Sequence, residues 1–196
     1  MKRFAIIMLK LLGWTIKDRP EEARADKAII VMGPHTSNWD FIIGRLAFWY
    51  YELPARFLIK SDLFFPPLGW ILKAFGGIPV HRNKHNHFTD QAAKYFEDNE
   101  QLYMVFTPEG TRKYNPNWKK GFYYIALKAQ VPIYIGYMDY PTKVGGVLGV
   151  FEPTGDVEKD IAELKNILSQ FKGKYPEKGI SPVMTDINEE KAPLKS

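Results

Sequence analysis

The sequence predicts a single α/β domain with a largely parallel sheet flanked by helices, preceded by an N-terminal apolar helix. Three observations lead there. Short apolar runs rich in β-branched and aromatic residues recur at 28–32, 56–60, 102–106 and 131–137, the signature of strands. The segments between them carry apolar residues at helical spacing. Strand and helix alternate several times, which argues parallel strands joined by right-handed crossovers. At 196 residues the chain is long enough to bury one substantial core. The expected division is 1–17 for the apolar helix, 18–175 for the domain and 176–196 for a loosely ordered, proline-punctuated tail.

Taken in order, residues 2–16 place Phe4, Ile7, Met8, Leu11 and Leu12 at helical spacing, with Ile6 and Leu9 widening the apolar face. This helix is too short to span a bilayer, Lys10 interrupts it, and no small-residue cleavage site follows. Two readings stay open: an interfacial membrane anchor, or a helix docked on the domain's own core. A charged connector, 17–27, leads to the strand 28–32 and the stretch Gly33-Pro34-His35-Thr36-Ser37-Asn38-Trp39-Asp40. The helix after it carries Trp39, Ile42, Ile43, Leu46, Ala47 and Tyr50 on one side, so it should be largely buried or lipid-facing.

Pro54 ends that helix, and 56–60 is a short strand closing in Lys60. The turn 64–70 is apolar and could line a tunnel. A short helix, 70–75, is closed by Gly76-Gly77, and 78–82 is a strand that Pro79 marks as edge or irregular. Residues 88–99 form a polar helix, 102–106 a strand, and Trp118, Phe122, Ile125, Ala126 and Ala129 the next helix. A strand over 131–137, a glycine-punctuated strand over 144–151 and a helix capped by Asp156 and stopped at Gly173 complete the domain.

Composition removes some chemistries. The chain has no cysteine, so disulfides, thiol nucleophiles and thiolate metal sites are excluded, and a reducing cytosolic setting fits. Lysine and arginine outnumber acidic residues 27 to 22, which favours an anionic partner such as phosphate, nucleic acid or a membrane surface without choosing among them. Aromatics make up 15% but lie in apolar runs, not interleaved with arginines, and this argues against nucleic-acid binding. His81, His85 and His87 stand among Arg82 and Lys84 with no carboxylate beside them. They read as a solvated basic loop, and no metal site is expected.

The chemistry concentrates at two strand ends. His35 and Asp40 are five residues apart, a spacing that points them away from each other if both are helical. Pairing becomes possible if His35 lies on the turn and Asp40 in the first helical turn. An imidazole held by a carboxylate at one nitrogen presents the other as a base. The competing reading of Ser37-Asn38-Trp39-Asp40 is a plain capping box. The second site is the loop Thr107-Pro108-Glu109-Gly110-Thr111-Arg112-Lys113, where backbone N–H groups, a hydroxyl and a guanidinium could surround an anionic oxygen. Arg82, at another strand end, could grip phosphate with two parallel hydrogen bonds.

With these in hand, the sequence resembles the glycerolipid acyltransferases, whose best-known members are the lysophosphatidic acid acyltransferases. Their H-x4-D block matches His35 to Asp40, and their glycine, apolar and arginine block matches Gly77 to Arg82. P-E-G-T-R stands intact at Pro108 to Arg112, and V-P-I at Val131 to Ile133. Pro34 departs from the asparagine many members carry, and Pro79-Val80-His81 from a more uniformly apolar or acidic stretch. The resemblance implies transfer of a fatty acyl group from an acyl thioester to the hydroxyl of a lysophosphatidic-acid-like acceptor, in phospholipid biosynthesis. It implies His35 as general base, Asp40 as its orienter, and Arg82, Glu109, Gly110, Thr111, Arg112 and Lys60 as substrate-binding residues. Acyl-CoA or acyl carrier protein would be the donor co-substrate, with no other cofactor and no metal. The setting implied is peripheral, on the cytoplasmic face of a membrane. Two alternatives remain: a related enzyme using another lysolipid or an amino-lipid, and a non-enzymatic membrane-surface protein.

Overall fold

The computed structural model describes residues 1–80 and 85–183. Its frame is a seven-stranded sheet made of β1 (Thr15–Ile16), β2 (Lys27–Gly33), β3 (Ala55–Lys60), β4 (Gly77–Val80), β5 (Leu102–Phe106), β6 (Ile133–Asp139) and β7 (Val144–Phe151). The spatial order is β1-β7-β6-β2-β5-β3-β4. Neighbours run parallel except β6 and β7. The antiparallel pair is the one joined by a short turn, which a parallel connection could not be. β4, with Pro79, lies at an edge, where a missing N–H costs no ladder bond.

β2 is the central strand, paired with β5 on one side and β6 on the other. Its apolar run is continuous because both faces are covered. Ile29 and Val31 enter a core built with Phe96, Met104, Phe122, Ile125, Ile133 and Leu164. Ala28, Ile30 and Met32 enter a second core with Leu9, Trp14, Ile43 and Phe48. Helices α4 (His85–Glu97), α5 (Gly121–Ala129) and α6 (Val157–Leu168) supply residues to the first core, while α1 (Lys2–Leu11) and α2 (Trp39–Tyr51) supply the second. A short helix, α3 (Leu68–Ala74), links β3 to β4.

Several element ends differ from the sequence expectation. The first helix stops at Leu11, not 16. Gly13 takes φ +76°, a conformation open to glycine, and Trp14 N–H returns to the Leu9 carbonyl at 2.8 Å. Thr15 and Ile16 are thereby freed to pair with β7. That helix docks through Ala5 and Leu9, leaving Phe4, Ile7 and Leu11 exposed. Among the described residues no helix is long and apolar enough to cross a membrane. α4 begins at His85, three residues before the expected start, and α6 ends at Leu168, short of Gly173. In α2, Trp39 and Ile42 are 44% and 43% exposed, so the buried face is set by Ile43, Leu46 and Phe48 instead. In the expected tail, Val183 N–H donates to Asn166 Oδ1 at 2.7 Å, and residues 184–196 lie outside the description.

Candidate active site

β2 delivers its C-terminal end, flanked by two parallel neighbours, to the place where open α/β sheets bind ligands. The chain passes through a cis Gly33–Pro34 peptide, sets His35 on the turn and enters α2 at Trp39. His35 Nδ1 lies 3.0 Å from Asp40 Oδ2, with the side chains 17% and 2% exposed. The same Oδ2 accepts the Thr36 and Ser37 backbone N–H groups, both at 2.8 Å. Asn38, in the cap position, makes no side-chain cap bond, and Ser37 Oγ takes the Trp39 N–H at 3.2 Å. Capping and pairing were rival readings of Asp40; in the structure one oxygen does both.

Burial works to raise the Asp40 carboxyl, yet donors from His35, Tyr140 and the Ser37 amide outweigh it and hold the group below its ordinary value. Asp40 is therefore an ionised acceptor. The hydrogen between it and His35 sits on Nδ1, and in the neutral ring Nε2 carries the lone pair. Nε2 has no hydrogen-bond partner among the described residues.

The loop after β5 meets this turn. His35 N–H donates to Glu109 Oε1 at 2.9 Å. Glu109 is buried, and its Oε2 has no partner among the described residues. Burial, opposed by the His35 amide, pushes its carboxyl up to about 7. Loop shape comes from Gly110 N–H to the Thr107 carbonyl, Lys119 N–H to the Pro108 carbonyl and Asn115 Nδ2 to the Glu109 carbonyl. Gly110's own N–H is thus engaged within the loop. Thr111 and Arg112 are exposed, and Arg112 makes no hydrogen bond or ion pair among the described residues. Lys60 ends β3, with only its backbone described, and Arg82 lies outside the described residues.

Two features of the site carry no motif. Tyr140 Oη donates to Asp40 Oδ1 at 2.5 Å. Tyr175 N–H donates to Thr36 Oγ1 at 3.2 Å, and a Cβ on Gly173 would stand 2.5 Å from that same oxygen. Tyr140 directly follows β6, whose end lies beside that of β2 through the Gly33 to Tyr137 register. Topology, not local pattern, is the signal that finds it.

A family model described as Acyltransferase matches residues 15–137, more than half the chain and both strand-end sites. The chain belongs to this acyltransferase family. Its fold is similar to that of the 1-acyl-sn-glycerophosphate (LPA) acyltransferase PlsC from Thermotoga maritima, with a TM-score of 0.58 over 86% of this chain and 75% of that one, at 16% sequence identity. No curated protein matches the chain.

The acyltransferase also holds a cavity of about 530 Å³ beside the Glu109 loop, within the range of small-molecule sites. Leu58, Phe88, Phe106 and Phe122 form apolar walls, and Gly110 and Lys119 lie at its polar side.

Proposed function

We propose that this acyltransferase moves a fatty acyl group from an acyl thioester to the hydroxyl of a lysophosphatidic-acid-like acceptor, with no acyl-enzyme. The observation that carries the reading is His35, held at Nδ1 by a buried, ionised carboxylate and, among the described residues, unpartnered at Nε2. Nε2 takes the proton of the acceptor hydroxyl as its oxygen attacks the thioester carbonyl carbon. The tetrahedral intermediate then expels the thiolate, which recovers the proton from the imidazolium. Asp40 stabilises that charged ring between the two steps.

Arg112, exposed and without a partner among the described residues, is proposed to receive the acceptor phosphate with two parallel hydrogen bonds. Lys60 and Arg82 are proposed as further anion contacts on the strength of the motif resemblance. The apolar walls beside the Glu109 loop suit an acyl chain. The donor is acyl-CoA or acyl carrier protein, entering as co-substrate. We place the enzyme peripherally on the cytoplasmic face of a membrane, and two observations favour that setting. The outward face of α1 shows Phe4, Ile7 and Leu11, and α3 shows Trp70 and Ile71. Lys2, Arg3 and Lys10 accompany the first group, the composition of an interfacial helix.

The test is thiol release from acyl-CoA and acyl carrier protein donors, with lysophosphatidic acid set against other lysolipids and amino-lipids, in wild type and His35→Ala. Release that needs both lysophosphatidic acid and His35 supports the proposal. Undiminished release by His35→Ala would sink the mechanism, and release with a different lipid alone would sink the acceptor.

A further inference from the structure

Tyr140 follows β6 and lies beyond residues 15–137, the span that matches the family. Its hydroxyl reaches Oδ1 of Asp40 at 2.5 Å, the oxygen that His35 does not use. The two oxygens are therefore divided. Oδ2 takes the imidazole and two backbone amides, and Oδ1 takes the phenol. Tyr140 is itself held from three sides. Its N–H donates to the Lys172 carbonyl at 2.9 Å, its ring meets buried Trp14 edge to face at 5.0 Å, and the preceding residue, Asp139, accepts the Lys172 N–H at 2.9 Å. A phenol fixed this firmly, donating to a buried carboxylate, acts on that carboxylate's orientation and charge.

We infer that Tyr140 is a positioning residue for the His35 and Asp40 pair, fixing the carboxylate plane and setting how strongly Asp40 holds the imidazole. The inference rests on the acyl-transfer reading above. The Thr36 and Ser37 amides hold Oδ2, and the phenol on Oδ1 supplies the second point that fixes the carboxylate plane toward Nδ1. The phenol also draws charge away from the carboxylate, so its removal makes Asp40 a stronger acceptor and favours the protonated ring. The other titratable groups that face the pair are Glu109, through the His35 amide, and Tyr175, beyond Tyr140. Both remain in a Tyr140 variant, so the difference from wild type reports the Tyr140 hydroxyl.

The experiment compares wild type, Tyr140→Phe and Tyr123→Phe in the full chain. Tyr123 is a buried phenol that likewise donates to a buried carboxylate, Asp160, outside the site. Each protein is taken through thermal unfolding, kcat and KM across pH, and NMR of the four histidines, with the His35 signal assigned by its loss in His35→Ala. In Tyr140→Phe, kcat should fall roughly 10- to 100-fold with acceptor KM unchanged, because the phenol acts through Asp40, to which its hydroxyl is given. The acid limb of kcat/KM should move to higher pH, and the protonated fraction of His35 at a given pH should rise. Tyr123→Phe should move none of the three. A Tyr140→Phe protein with wild-type kcat, pH profile and histidine titration overturns the inference. So does a Tyr140→Phe loss of activity matched by Tyr123→Phe at equal loss of stability. If wild type transfers no acyl group with any pair, the acyl-transfer reading falls, and the histidine titration alone decides whether Tyr140 governs the pair.

Discussion

The backbone N–H of His35 donates to Oε1 of Glu109 at 2.9 Å, across 74 residues of sequence. One hydrogen bond thus joins the H-x4-D turn to the P-E-G-T-R loop. Glu109, which makes it, is 4% exposed, and its second oxygen has no partner among the described residues. Such a group costs less protonated than ionised, because a buried charge without full compensation is expensive.

Glu109 should therefore make stability fall as pH rises. Its folded value is pushed up to about 7 from an ordinary 4.5. Between those values the folded state keeps a proton that the unfolded chain has lost, so the stability contribution is intact below 4.5 and is lost as pH climbs through 7. The full gap corresponds to about 3 kcal/mol. Urea unfolding from pH 5 to 8 should show Glu109→Gln gaining on wild type as pH rises. Parallel curves would place the burden elsewhere.

Asp40 should show the opposite sign. Its carboxyl lies below its ordinary 3.8 when folded, so its contribution is present above 3.8 and is lost as pH falls through the lower folded value. Asp40→Asn should trail wild type in stability by a constant margin above pH 5, begin to close on it below about 3.8 and converge once pH lies below the lower folded value. Its turnover should drop roughly 10²- to 10⁴-fold, the range associated with a working general base. Convergence at neutral pH would contradict the ionised role.

Arg112→Ala should leave the fold alone, since the side chain is exposed and has no partner among the described residues. Unfolding should stay within about 0.5 kcal/mol of wild type. Acceptor KM should rise roughly 10- to 100-fold with kcat little changed, as expected from a charged hydrogen bond of about 1.5–3 kcal/mol. Unaltered acceptor kinetics would remove Arg112 from the phosphate site.

Gly173→Ala brings a methyl group to 2.5 Å from Thr36 Oγ1. Thr36 is buried, and its N–H serves Asp40. Relief of the clash should cost about 1–3 kcal/mol and displace the turn, lowering turnover as well. Calorimetry and thiol release read the two effects, and a variant with wild-type values in both would show that Thr36 yields freely.

The strands were legible because their information is local. Ala28 to Met32 is apolar throughout, as a doubly covered parallel strand must be, and Pro79 marked β4 as an edge. His35 and Asp40 could be named from spacing, yet spacing left cap and partner as alternatives, because it cannot show one oxygen accepting three donors. Tyr140 and Gly173 were not legible as members of the site. Nothing near them in sequence differs from an ordinary strand exit or helix stop; their meaning comes from Asp40 and Thr36, far upstream. Trp39 misled for the related reason that apolar periodicity gives a face without saying whether another element covers it.

The turn that carries His35 is tied down by partners 74, 100 and 139 residues away, at Glu109, Tyr140 and Tyr175. Closing loops of that length costs chain entropy that local contacts cannot recover, so these bonds form only once the long-range topology exists. Recovered activity after denaturation should therefore track completion of folding rather than the appearance of secondary structure. A chain cut before residue 140 would keep every motif and lose the two bonds that Tyr140 and Tyr175 make to the turn.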